Sequence, residues 1–186
     1  MLAEPEAAAL RTRFADALVR AGGEWFAVPD AAAAARVVND ILHAACVSSV
    51  AVDDTPGVRT LVTATEQRSV FLSSTVQNKH RFAEAGAGVT GALAGIAATG
   101  TLVLAASRST PRSTSLLPPL HIAILDGKDI VGTLAESFAR FAAHALPSQI
   151  IHITGPSRTG DIEHDLTRGV HGPQRVVVLC LTGAGS

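Results

Sequence analysis

Leu120-His121-Ile122-Ala123-Ile124-Leu125-Asp126-Gly127 is the stretch that decides the fold class. An apolar run without a charge, broken only by one imidazole, ends in an Asp-Gly turn signal. A strand covered on both faces has this continuous character, whereas a strand with one wet face alternates. Downstream, residues 129–145 carry Ile130, Leu134, Phe138 and Phe141 at the spacing of one helical face. Residues 149–153 predict a strand, 161–167 a helix, and 175–181, with Val176-Val177-Val178-Leu179, a second fully apolar strand. Strand, helix, strand, helix, strand is the alternation of a parallel sheet joined by right-handed crossovers. The expected class is therefore α/β, a mostly parallel twisted sheet with flanking helices.

The same reasoning extends to the N-terminus. Residues 5–20 place Leu10, Phe14 and Leu18 on one face of an amphipathic helix that Gly22 and Gly23 stop. Residues 24–28 predict a short strand, and Pro29-Asp30 opens a helix through Ala45 with Val37, Val38, Ile41 and Leu42 inward. Residues 47–52 form a buried strand closed by the turn Asp53-Asp54-Thr55-Pro56-Gly57. Residues 58–63 and 69–72 are expected as strands and 76–85 as a helix. The uncharged segment 85–107 is expected as two buried strands joined at Thr99-Gly100-Thr101, an antiparallel excursion around 86–106; its glycines and threonines argue against a transmembrane helix. Residues 107–119, rich in Ser, Thr, Arg and Pro, are expected to be irregular.

Composition narrows the function classes. The 186 residues fit one domain, with 47% hydrophobic and 17% charged residues, as in a well-buried globular protein. A net charge of -1 and 4% aromatics, without a basic cluster, leave no platform for nucleic acid. Cys46 and Cys180 stand far apart in apolar contexts and supply neither a zinc nor an iron–sulfur ligand set, so no such cofactor is expected in this chain, while an anionic cofactor stays open beside a small carboxylate as the ligand. The acidic start, Met1-Leu2-Ala3-Glu4-Pro5-Glu6, is unlike a secretory signal, and a cytoplasmic location is expected.

The candidate ligand site is Thr154-Gly155-Pro156-Ser157-Arg158-Thr159-Gly160-Asp161-Ile162-Glu163, between a strand and a predicted helix. A helix start offers free N–H groups and the positive end of a dipole, Arg158 can grip a carboxylate or phosphate, and Ser157 and Thr159 add hydroxyls. The plainer reading has Asp161 capping the helix, Ser157 closing a local turn and Arg158 paired with Glu163. His171, in Gly169-Val170-His171-Gly172-Pro173, lies in a loop and is placed near the site. His152, His164 and His171 lack the spacing of a metal helix, so no metal is assigned. His121 inside its strand is expected to be a hydrogen-bonded core residue. Gly86-Ala87-Gly88-Val89-Thr90-Gly91 matches a dinucleotide fingerprint literally, but without the strand before it, the helix after it or the later acid it is a glycine-rich strand entry. Residues 108–115 carry two arginines among hydroxyls, suited either to cover an anion or to meet solvent.

Three blocks together resemble the LUD-domain family, in its lactate-utilization C branch. They are Gly88-Val89-Thr90-Gly91-Ala92 through Ile96-Ala97-Ala98-Thr99-Gly100-Thr101; Ser115-Leu116-Leu117-Pro118-Pro119-Leu120-His121-Ile122-Ala123; and Ile153 to Thr159 through Gly169 to Pro173. The likeness is concentrated in residues 86–181 of a single domain spanning 1–186. It implies a fold like that of the sugar-phosphate isomerase and CoA-transferase group. It also implies a part in oxidising L-lactate to pyruvate with iron–sulfur partner proteins, in which this component carries no cluster. On the same ground Thr90, Thr99, Gly100 and Thr101 join the ligand-site candidates. The family usually has an acid where this chain has Ala98, and often alanine at Gly160, so a carboxylate-dependent reaction loses its group while binding can persist. The alternatives are an isomerase or acyl-transferase acting on a sugar phosphate or CoA thioester, and a non-catalytic scaffold of a redox complex.

Overall fold

The structure, a computed structural model, describes residues 4–62, 68–76, 80–142, 147, 149–160, 166–168 and 172–183. The chain opens with helix α1 (Glu4–Arg20), strand β1 (Glu24–Val28), helix α2 (Ala31–Ala44), strand β2 (Ser49–Val52), helix α3 (Pro56–Arg59), strand β3 (Ser69–Leu72) and helix α4 (His80–Ala83). It continues through β4 (Ala87–Gly91), β5 (Ala94–Ile96), β6 (Thr101–Ala106), α5 (Ser113–Leu116), β7 (Leu120–Asp126), β8 (Ile130–Val131) and α6 (Leu134–Ala142). The last strands are β9 (Gln149–Ile153), β10 (Arg158–Gly160), β11 (Leu166–Arg168) and β12 (Arg175–Leu181).

Six strands form an all-parallel sheet in the order β1-β12-β7-β4-β2-β3. The two apolar runs that predicted it, β7 and β12, lie side by side in its interior, in register from Leu120↔Arg175 to Asp126↔Leu181. Alternate side chains point to opposite faces. Ile122, Ile124, Val177 and Leu179 meet Ala34, Val38, Ile41 and Leu42 of α2. Ala123, Leu125, Val176, Val178 and Cys180 meet Phe14 and Leu18 of α1 together with Leu102, Leu104, Ile130 and Ile153 from a second sheet. Both faces are dry, and that is why neither strand alternates in sequence; each fully buried aliphatic side chain contributes roughly 1.5–3 kcal/mol. Asp30 starts α2, its carboxylate accepting from the Ala33 N–H at 2.7 Å.

The second sheet, β8-β5-β6-β9, corrects part of the expected topology. The 86–106 segment supplies three strands rather than two. β4 joins the parallel sheet, and only β5 and β6 form the antiparallel hairpin. β9 pairs antiparallel with β6, not within the parallel sheet as the strand–helix alternation suggested. The helix expected over 129–145 begins at Leu134, because Ile130 and Val131 are drawn into β8 beside β5. The strand expected over 58–63 is a helix at its start: Pro56 sits in the first turn of α3 and Val58 and Leu61 turn into the core beneath α2. Among the described residues α4 covers His80–Ala83 of the helix expected at 76–85, of which 77–79 lie outside the described residues. Among the described residues no helix is long and apolar enough to cross a membrane.

At the edge of the parallel sheet, Arg175 holds β1 in place. Its Nε and Nη2 donate to the two carboxylate oxygens of Glu24 at 2.5 and 2.8 Å. That bidentate grip holds the Glu24 carboxyl below the usual carboxylate range. With the two side chains 40% and 39% exposed, solvent screens the pair. A double-mutant cycle through Glu24→Gln and Arg175→Met is expected to give a coupling of only about 0.5–1 kcal/mol, shrinking in high salt. A coupling indistinguishable from zero at low salt would show that β1 is held by backbone pairing alone.

Candidate functional site

Two predicted blocks, far apart in sequence, meet in a chain of hydroxyls. Thr99 Oγ1 lies 2.7 Å from Thr101 Oγ1, which lies 2.7 Å from Thr154 Oγ1. Thr101 is buried, while Thr99 and Thr154 are exposed, so the chain opens to solvent at both ends. Its geometry follows from two glycines. Gly100 and Gly155 have φ of +67° and +82°, a region that only glycine enters without strain. A Cβ on Gly100 would stand 2.2 Å from the Leu18 nitrogen, and one on Gly155 would stand 2.7 Å from the Ala21 carbonyl oxygen. Both turns are thus seated on the C-terminal end of α1, and this common seat brings Thr99 and Thr101 to Thr154. Antiparallel pairing of β6 with β9, Leu102 opposite Ile153, completes the alignment.

The third block arrives through the backbone. The Ser157 N–H donates to the Pro173 carbonyl at 2.8 Å, and Gly172 lies close enough that a Cβ there would touch Ser157 Cβ at 3.3 Å. Pro156 is buried beneath them. The structure therefore unites Thr99, Gly100, Thr101, Thr154, Gly155, Pro156 and Ser157 with the Gly172-Pro173 turn. Beyond Ser157 the chain departs from expectation. Arg158 and Thr159 start β10, which pairs antiparallel with β11, setting Arg158 opposite Arg168 and Thr159 opposite Thr167. Residues 166–168 are thus strand rather than the end of the helix expected over 161–167, whose start, residues 161–165, lies outside the described residues. Alternating Leu166, Thr167 and Arg168 suit a two-stranded ribbon as well as a helical turn, which is why the sequence misled. Asp161, Glu163 and His171 lie outside the described residues.

Ala98, where the family resemblance implies an acid, is exposed and donates its N–H to the Gly132 carbonyl at 3.1 Å. Among the described residues no carboxylate is hydrogen-bonded into the hydroxyl chain.

Thr90 belongs to a different cluster. On the sheet face opposite α2 its Oγ1 lies 2.9 Å from His121 Nε2, both side chains being buried. His121 is thus the bonded core histidine that its strand predicted, and burial pushes its pKa down to about 4, leaving the ring neutral. Beside Thr90 stands Asp53, which the sequence presented as a turn residue. Its N–H donates to the Val89 carbonyl at 2.9 Å and its side chain is buried. Burial pushes its carboxyl up to about 7, against the opposing pull of the Thr114 hydroxyl, the Gly91 N–H and the Ser73 hydroxyl. The one sequence signal for it was position: an acid immediately after a buried parallel strand lies at the carboxyl end of the sheet, where α/β proteins hold ligands. The two clusters lie toward opposite ends of β6. Thr101 begins that strand and Ala106 ends it, five steps or about 16 Å away, where the following loop meets Asp54 through Ser109.

Comparison with known proteins places this architecture. The LUD domain pattern matches residues 11–181. Lactate utilization protein C of Bacillus licheniformis is 38% identical over 108 residues, 55% of this chain and 45% of that protein. That of Bacillus subtilis is 35% identical over 111 residues, 57% and 46% of the two chains. An uncharacterized protein of Neisseria meningitidis is 37% identical over 102 residues, 54% and 44%. The matched stretch spans about half the length of these relatives. A crystal structure of a DUF162-family protein from Deinococcus radiodurans superposes with a TM-score of 0.72 at 21% identity, covering 98% of this chain and 100% of that one, and so shares the fold. With its parallel sheet, its paired threonine turns and a match from residue 11 to residue 181, the chain belongs to the LUD-domain family.

Proposed function

We propose that this protein serves lactate utilization by binding a small carboxylate at the Thr99-Thr101-Thr154 hydroxyl chain. The observation that carries this reading is the chain itself, with two 2.7 Å contacts joining blocks distant in sequence and seated together on α1. The names of the matching relatives supply the pathway. The two internal contacts use two of the three hydroxyl hydrogens, so the chain can turn its third toward a carboxylate oxygen from one exposed end, Thr99 or Thr154 according to the direction in which the bonds run. The β10–β11 register sets two arginine positions, 158 and 168, opposite one another a few residues downstream, the residue type suited to a carboxylate. Oxidation of lactate releases two electrons and two protons. With two cysteines in the whole chain, four-thiolate ligation of a cluster is beyond its means, so the electrons are assigned to iron–sulfur partner proteins. An isomerase or transferase reading rests on fold analogy alone, and exposed Ala98 supplies it no acid.

Isothermal titration with L-lactate and pyruvate tests the site. Thr101→Val removes the central hydroxyl at nearly constant volume and is expected to weaken binding about tenfold, and Arg158→Ala by a similar factor. Wild-type affinity in both variants, with unchanged melting temperatures, would remove the hydroxyl chain and Arg158 from the site.

A further inference from the structure

Among the described residues, three buried side-chain atoms on one face of the parallel sheet make no hydrogen bond of normal geometry: Oδ1 of Asp53, Oγ1 of Thr114 and Nδ1 of His121. The residues are 2%, 0% and 0% exposed. They form one patch. Gly88 on β4 is flanked in register by Ala51 and His121. Thr114 of α5 lies directly on Gly88, where a Cβ would come within 1.8 Å of the Thr114 carbonyl oxygen. The Thr114 hydroxyl in turn neighbours the Asp53 carboxyl, and Thr90 holds the far nitrogen of His121. A buried polar group left unpaired destabilises a fold, and native proteins rarely gather several in one place.

We propose that this patch is a second ligand site, which takes the carboxylate or carbonyl oxygen of a small molecule between Asp53, Thr114 and His121. Each of the three can present a hydrogen: the Thr114 hydroxyl by rotation, His121 Nδ1–H when Nε2 accepts from Thr90, and Asp53 in its acid form. A ligand would enter beneath the strap formed by residues 107–116, whose Thr114 and Ser115 are buried. Among the described residues its hydrogen bonds to the body run through the Ser109 carbonyl, which accepts from the Asp54 N–H and Ser73 Oγ, Thr110 Oγ1, which donates to the Ala105 carbonyl, and Arg112, which donates to Gln149. The site does not depend on the lactate reading, because the Thr99-Thr101-Thr154 chain lies toward the other end of β6.

Because Asp53 donates only as an acid, occupation by a carboxylate is coupled to proton uptake. The Asp53 carboxyl sits at about 7, so affinity falls as pH rises past that value. The titratable and charged groups on the surrounding described elements include Asp54, paired with Arg59 of α3 at 3.4 Å, Arg81 of α4 over the Phe71 ring, Arg108 and Arg112 on the strap, and His121 on β7, which is neutral. Titration of formate, acetate and pyruvate, read from backbone amide shifts, tests the proposal. Saturable shifts are expected at Thr90, Thr114 and His121, with affinity dropping about tenfold per pH unit above 7. Asp53→Asn, which keeps a donor, is expected to bind with the pH dependence gone, and Thr114→Val to bind at least about fivefold more weakly. Absence of saturable shifts at these amides, which leaves the patch to ordered water, overturns the proposal. So does wild-type affinity and pH dependence in both variants. Shifts confined to Thr99, Thr101 and Thr154 would likewise overturn it while supporting the other site.

Discussion

Replacing Asp53 with asparagine is expected to stabilise the fold at pH 8 and to change it little at pH 4. The folded carboxyl has its pKa at about 7, against an ordinary 3.8. Below pH 3.8 both folded and unfolded chains hold the proton, and the full stability is present. As pH rises, the unfolded chain releases its proton first, so stability is lost through the interval up to about 7 and stays lower above it. A displacement of about three pKa units corresponds to about 4 kcal/mol as a ceiling, a large fraction of the roughly 5–15 kcal/mol of a typical domain. Asparagine has the same shape and no charge to desolvate. His121 works in the opposite sense: its folded pKa of about 4 lies below the ordinary 6.5, so its contribution is complete above 6.5 and is lost as pH falls toward 4. Urea melts at several pH values should therefore show a variant that retains the acid-side loss and lacks the decline toward neutrality. Parallel pH profiles for wild type and Asp53→Asn would refute the assignment.

Gly100→Ala is expected to cost about 2–5 kcal/mol, the sum of a backbone and a packing penalty. The left-handed backbone at φ +67° costs an alanine about 1–2 kcal/mol. The new methyl would also stand 2.2 Å from the Leu18 nitrogen and 2.6 Å from the Ala17 carbonyl carbon, main-chain atoms that cannot swing aside. Overpacking of that kind adds about 1–3 kcal/mol. Relief would lift the 99–101 turn off α1 and separate Thr101 from Thr154, so ligand affinity should fall with stability. Gly57→Ala is the control, since nothing lies within 4 Å of a Cβ there. Thermal melts that place Gly100→Ala beside Gly57→Ala would show that α1 is not the seat of the turn.

The sequence revealed most where a single local pattern dominates. β7, β12, α1 and α2 carry apolar periods too long to mistake, and Asp30 and the paired glycines mark their ends. It misled where tertiary pairing decides. Nothing local distinguishes Gln149–Ile153 as a partner of β6 from a member of the parallel sheet, and the β-branched residues after Gly57 concealed a helical turn begun by Pro56. For the candidate site, Thr99, Thr101, Thr154 and Ser157 could be named from the sequence because they stand in recognisable blocks, and the structure brings those blocks together. Asp53 was not, because Asp-Asp-Thr-Pro-Gly has the same composition whether its first carboxylate is wet or 2% exposed. Burial is a property of the strap above it, contributed by residues 107–116.

The clamp between Arg175 and Glu24 spans 151 positions, and the strand that carries Arg175 lies between β1 and β7. During synthesis, then, the sheet stays split: β1 and β7 each present an open edge until the final strand emerges to fill the gap between them. A ribosome-bound or prematurely terminated chain lacking residues 175–181 exposes two apolar edges at once, the kind of surface that recruits neighbouring chains or chaperones. Closure over so long a separation makes the order of events a kinetic property of the topology, with β12 the bolt that is shot last.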